Sequence, residues 1–343
     1  MSARRPTGIQ STSIPSSSAS ASRAGFSRPL IPNELLVLIY TMVESELSAD
    51  DLLCLRLVNH AFCALATLRA FRSVVAVNTP KSASGLLRLL MSPLARYIEE
   101  VTIRDTLVDC NGDLLTQSVP DKQSRWRRLK RSSFIPPHDF LVRVYLVAAV
   151  SQLHKLPALR AVRLTRNSPP PHHLSLLTEQ SILKIRKRAT LHYVLLEVLS
   201  VHRPPRLVSL TINNLVPLED RRLTVFVRWR VSDHFKELLA GVEELHLGIH
   251  DGAYDTNAWQ HHHFWWQLAG VLMNMQALTV FEIRLPEQLA SDIPGRRLPS
   301  FMDQLLLLRE VLWERIWFSS EADEVQFRQE HPALVKLQIA RAP

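Results

Sequence analysis

Six times between residues 98 and 339 the chain repeats one short pattern of apolar and other positions, apolar-x-x-apolar-x-apolar. The instances are Ile98/Val101/Ile103, Leu159/Val162/Leu164, Leu207/Leu210/Ile212, Val242/Leu245/Leu247, Leu278/Phe281/Ile283 and Leu334/Leu337/Ile339. The alternation at the last two apolar positions predicts a short strand with one face buried, because side chains along a strand point to opposite sides in turn. Between the instances lie stretches with helical periodicity: Ser84 to Leu90, Phe140 to Leu153, Leu191 to Val201, Asp233 to Leu239, Trp259 to Met273 and Phe301 to Ile316. Counted from the first residue of each, successive patterns are 61, 48, 35, 36 and 56 residues apart. The residues between the alternating apolar positions are Thr102, Arg163, Thr211, His246, Glu282 and Gln338, all polar. They are expected on the solvent side of the strands.

Ahead of these repeats, Pro32 suits the first position of a helix, where a missing N–H costs nothing. Leu35, Leu36, Ile39, Met42 and Val43 then recur at spacings of three and four, which predicts one apolar helical face. Ser48 and Asp51 have the spacing of a capping box before a second helix carrying Leu52, Leu53 and Leu55. Asn59 is placed to cap a third helix with Phe62, Leu65 and Ala66, after which the chain enters the run Val74-Val75-Ala76-Val77. Three helices this short enclose little apolar area. Some of their leucines must face another chain or the rest of this one.

The opening Leu30-Ile31-Pro32-Asn33-Glu34-Leu35-Leu36 with Ile39, and the closing Leu55-Arg56-Leu57-Val58-Asn59-His60-Ala61-Phe62-Cys63-Ala64-Leu65, resemble an F-box. That module docks a substrate receptor onto the adaptor subunit of a cullin-RING ubiquitin ligase. The resemblance implies that Pro32, Leu35, Leu36, Ile39 and Val58 face the adaptor, and that the partners are this adaptor, through it a cullin, and a protein target. The alternation of helix and short strand resembles the degenerate leucine-rich repeats that follow the F-box in many fungal receptors. Regular repeats of that class run to about 20–29 residues, so the spacings describe an irregular solenoid with insertions. The expected fold class is α/β: residues 1–28 a tail, 29–76 a three-helix F-box, and 77–343 a leucine-rich-repeat horseshoe. Strands line the concave face of such a horseshoe and helices the convex one. Target contacts are therefore expected at Arg163, Thr211, His246, Glu282 and Gln338, with Thr102 and the strand neighbours Arg104, Thr165, Asn213 and Arg284.

Composition narrows the function classes. With 46% hydrophobic residues and a mean hydropathy of zero, the chain reads as globular. No apolar run reaches the roughly 20 residues of a membrane span, and no membrane partner is expected. Three cysteines, two of them (Cys54 and Cys63) inside the helical module, read as small buried thiols in a reducing compartment, cytoplasmic or nuclear. Residues 1–28 are rich in Ser, Ala and Arg and hold no acid, which predicts a tail without a core. An Arg-rich, acid-poor start also describes mitochondrial transit peptides, against which stand Pro6, Pro15 and the missing amphipathic stripe.

The formal charge of +9 raises a second reading, a nucleic-acid or phosphate-binding repeat protein working through basic loops. The basic residues cluster in Asp109 to Pro137, which holds Arg125, Arg127, Arg128, Lys130 and Arg131, and in a segment headed by Pro169 and ending near Lys184 to Arg188. Both are expected to be insertions, and Trp126 alone is no stacking platform for bases. Nucleic acid is therefore the lesser expectation. Leu223 to Val231 alternates Val225, Val227, Trp229 and Val231, which predicts an extra strand.

Candidate chemistry is sparse. Adjacent imidazoles of His261, His262 and His263 diverge by about 100° on a helix and chelate one metal poorly; His172 and His173 fare the same, and no Cys or His pair has zinc-like spacing. The chain has nine glycines, no glycine-rich phosphate loop and no nucleophile elbow. Neither a catalytic residue, a metal site nor a cofactor is expected, and the chain is read as a non-enzyme.

Overall fold

The computed structural model describes residues 32–43, 46–105, 138–166, 191–215, 232–249, 268, 270–285, 291–293, 305–318 and 320–340. The tail, both basic segments, Leu223 to Val231, His172, His173, the three consecutive histidines and most of Trp259 to Met273 lie outside the described residues. The chain divides into two compact units, Met1–Leu65 and Ala66–Pro343.

In the first unit α1 spans Asn33–Val43 and α2 Ala49–Leu55. A third helix, α3 (His60–Ala70), crosses the division between the units. The turn before α2 forms as its sequence predicts. Asp51 N–H donates to Ser48 Oγ at 3.2 Å while Ser48 N–H donates to Asp51 Oδ2 at 3.0 Å, so each residue satisfies a backbone donor of the other. At the head of α3, Phe62 N–H donates to Asn59 Oδ1 at 2.8 Å. Pro32 stands just ahead of α1, and its carbonyl accepts from Leu35 and Leu36 N–H.

The second unit is built on one parallel sheet. Strands β1 (Ser73–Val77), β2 (Glu100–Asp105), β3 (Ala161–Arg166), β4 (Ser209–Leu215), β5 (Glu244–Ile249), β6 (Val280–Arg284), β8 (Glu310–Glu314) and β10 (Lys336–Ala340) lie side by side in chain order. Every neighbouring pair is parallel. Between them the chain returns through α4 (Pro80–Leu90), α5 (His138–Gln152), α6 (191–201), α7 (Asp233–Ala240) and α8 (Glu321–Glu330). A minor two-stranded sheet pairs β7 (Ser291–Ile293) with β9 (Ile316–Phe318). Caps fix where helices begin: Thr79 Oγ1 accepts from Ser82 N–H ahead of Pro80, and Ser320 Oγ accepts from Asp323 N–H ahead of α8. Among the described residues no helix is long and apolar enough to cross a membrane.

The six patterns all fall on strands of this sheet. Two more complete the series. Phe71/Val74/Ala76 leads into β1 and Leu308/Val311/Trp313 into β8, the last two positions of each lying in the strand. Starting from Phe71, the spacings become 27, 61, 48, 35, 36, 30 and 26 residues. The helix expected over Phe301 to Ile316 is thus corrected: residues 310–314 are a strand between β6 and β10. A further helix, α8, stands where periodicity alone predicts none.

Register explains why the pattern is kept. Val74, Val101, Val162, Leu210, Leu245, Phe281, Val311 and Leu337 make one row across the sheet, and Ala76, Ile103, Leu164, Ile212, Leu247, Ile283, Trp313 and Ile339 the next. Both rows face the core, and the six inner members of each are buried. Burying a leucine, isoleucine or valine fully is worth about 1.5–3 kcal/mol. The strands are also joined at their starts. The carbonyl of Arg72 accepts two N–H groups from the next strand, those of Glu99 and Glu100, and the carbonyls of Glu99, Arg160, Val208, Glu243, Thr279 and Arg309 do the same in turn, at 2.7 to 3.0 Å.

Candidate protein-interaction surfaces

Two surfaces collect the sequence-predicted site residues. On the first unit the apolar residues divide sharply. Leu36 is 6% exposed, and Tyr40 and Leu52 are also buried. Leu35 and Ile39, by contrast, are 49% and 45% exposed, and Leu38, Met42, Leu57 and Val58 are more open still. Pro32 is exposed as well. Of the five residues expected to face an adaptor, four are therefore at the surface, while Leu36 points inward and Leu38 and Met42 join the exposed set. Leu36 thus departs from the single apolar face expected of Leu35, Leu36, Ile39, Met42 and Val43; every position from Leu35 to Tyr40 is apolar, so spacing could not say which of them the fold buries.

The capping box lends this unit its local electrostatics. The hydrogen bonds from the Ser48 side chain and backbone hold the Asp51 carboxyl below its usual range. With Asp50 it places negative charge at the positive end of α2. Cys54 is exposed and Cys63 half-buried, which corrects the reading of both as buried thiols.

The second surface is the face of the sheet turned away from the core. Its central row runs Val75, Thr102, Arg163, Thr211, His246, Glu282, Leu312 and Gln338, each opposite the next. The structure thus brings together all five expected target-facing residues, at one position of successive repeats. Leu312, on the strand that the sequence pattern disguised as a helix, interrupts the polar row. Thr102 and Thr211 are only 7% and 9% exposed, and Thr102 Oγ1 donates to Glu100 Oε1 at 3.3 Å.

Most charges on this face are matched. Arg163 Nε lies 2.9 Å from Glu100 Oε1, and Lys336 Nζ 3.5 Å from Glu310. Glu282 is the hub: His246 Nδ1 stands 2.7 Å from Oε2 and Arg284 Nε 2.5 Å from Oε1, with Glu314 a further 3.5 Å from Arg284. Burial pushes the Glu282 carboxyl up, but the hydrogen bonds from His246 and Arg284, with their charges, outweigh it and hold the group below the usual carboxylate range. Among the described residues no group of three or more His, Cys, Asp or Glu is placed to hold a metal ion.

Comparison with known proteins adds likeness among solved structures only. No protein-family model matches the chain, and no curated protein matches it. Among solved structures, an internalin C2 from Listeria monocytogenes is similar over 86% of this chain and 84% of its own, at 10% identity and a TM-score of 0.30. The repeat architecture rests instead on the register of the chain's own strands.

Proposed function

We propose that this chain is a substrate receptor of a cullin-RING ubiquitin ligase, with α1 and α2 belonging to an F-box that docks the adaptor and the parallel-sheet solenoid holding a protein target. The observation that carries the reading is the exposed apolar surface at Leu35, Leu38, Ile39, Met42, Leu57 and Val58. Leu35, Leu38, Ile39 and Met42 share one helical face by their spacing of three and four, and an exposed apolar face on a small helical unit is a mark of a protein interface. A row of side chains repeated across eight parallel strands supports the second half, since solenoids present such faces as extended binding surfaces. In this role the chain supplies proximity, raising the effective concentration of target near the transfer machinery, and leaves bond-making to partner subunits.

The test is co-purification of the adaptor and cullin with the parent chain and with a Leu35→Ala/Ile39→Ala double variant. Both positions are exposed, so the variant keeps its fold. Adaptor recovery should drop by the equivalent of more than about 2 kcal/mol if the two are interface hot spots. Undiminished recovery would falsify the docking assignment. Absence of adaptor together with salt-sensitive retention on nucleic acid would favour the basic-loop reading instead.

A further inference from the structure

The last strand of the sheet, β10, pairs with β8 on one side. Two of its bonds fix which way its backbone groups point. Lys336 N–H donates to Arg309 O at 3.0 Å, and Ala340 O accepts from Arg315 N–H at 2.9 Å. Backbone groups alternate sides along a strand, so residues 336, 338 and 340 are committed to β8. The N–H and C=O of Leu337 and Ile339 point to the open edge.

Side-chain burial marks the same edge. At the three apolar positions of the pattern, Leu308, Val311 and Trp313 in the preceding repeat are buried, as are their counterparts from β2 onward. Leu334, Leu337 and Ile339 in the last repeat are only half-buried, and Val335 beside them is 84% exposed. Among the described residues no strand pairs with this side of β10. Proteins ordinarily cover or charge an edge of this kind.

We propose that β10 pairs antiparallel with β10 of a second copy of this chain, about a two-fold axis at Gln338. In that register Leu337 of one copy stands opposite Ile339 of the other, at both ends of the seam. These are the residues whose backbone groups face the edge, so each pair exchanges both of its N–H···O bonds. Their side chains lie on the core side of the sheet and join the two open ends of the core. Lys336 meets Ala340, Gln338 meets its own copy, and no like charges are opposed. Sliding the seam by one residue sets edge-facing groups against committed ones and mismatches the faces. Centring it on Leu337 instead brings in Val335, whose N–H is already bonded to Arg309 O at 2.8 Å. A two-fold pairing closes on itself. Addition of β10 to β1 of another copy would leave an open end at every step and grow into a polymer, gathering nine formal charges per subunit. The inference does not depend on adaptor docking.

Sedimentation velocity on the full chain over a concentration series tests it. The expected result is a species of twice 39.1 kDa, forming in the micromolar range that suits a small interface. Gln338 is exposed, so Gln338→Lys and Gln338→Glu keep the fold while placing like charges opposite each other at the axis. Each should weaken self-association about fivefold at low salt, and mixing the two variants should restore it. Ile339→Pro removes an edge-facing N–H without touching a bond to β8 and should abolish the dimer. A chain that stays monomeric throughout, forms polymers, or dimerises identically in both charge variants overturns the proposal. Should Ile339→Pro unfold, the charge pair decides alone.

Discussion

His246 Nδ1 lies 2.7 Å from Glu282 Oε2 although the two residues are 36 apart in sequence, because they occupy one position of adjacent repeats. The contact is a product of register: β5 and β6 set Leu245 against Phe281 and Leu247 against Ile283, and the residues between are forced to face each other on the opposite side.

The contact predicts a pH dependence with a definite sign. Glu282 has a lowered pKa in the folded chain, so the group contributes stability that is full above the ordinary glutamate value of about 4.3 and is lost as pH falls through the lowered value. Urea melts of the parent below that ordinary value should lose stability with acidification. Glu282→Gln should lose less over the same interval. Identical slopes would mean that the His246–Glu282–Arg284 cluster does not persist in solution.

Leu35 and Leu36, adjacent in sequence, should behave oppositely. Leu36→Ala empties a buried site and should cost about 2–5 kcal/mol, whereas exposed Leu35→Ala should stay within about 0.5 kcal/mol. Hydrogen exchange of the α1 amides reads both. Equal protection in the two variants would show that the faces of α1 are wrongly assigned.

Removing the capping box with Ser48→Ala and Asp51→Ala should loosen the start of α2. Faster exchange confined to the first turn of α2 is the expected signature. No change would mean that solvent replaces the box without loss.

Phe327 is fully buried and packs its ring 5.5 Å from Trp313 and 5.4 Å from Phe318, with the His331 ring at 4.3 Å. Phe327→Ala should cost about 3–5 kcal/mol, measured by urea denaturation. A loss under about 1 kcal/mol, the size of an ordinary surface change, would mean that the last repeats are not a packed part of the sheet unit.

The solenoid was legible where strand and helix differ in period over enough residues. Leu245, His246 and Leu247 read as a strand because the preceding Asp233 to Leu239 is clearly helical and Gly241 separates them. Leu305, Leu308, Leu312, Trp313 and Ile316 misled because their spacings fit a helix as well as a strand, and a short apolar run carries no period of its own. The run Val74-Val75-Ala76-Val77 does not join the repeated pattern by sequence for another reason: its third apolar position is Ala76, the weakest of the series, and its first, Phe71, follows directly on α3. Of the candidate site, the outward row could be read from alternation alone. The pairing within it could not, since which charge meets which depends on spacings of 26 to 61 residues between strands.

The backbone joints at the strand starts bear on how such a sequence can change. The side chains at those joints are Arg72, Glu99, Arg160, Val208, Glu243, Thr279, Arg309 and Val335, with no chemical type in common. Because the joint is made by peptide groups, any residue that keeps its N–H serves. Mutation can therefore rewrite this rim of the sheet one residue at a time while the joints between repeats remain the same. Proline, which has no N–H to give, is the substitution that this edge forbids.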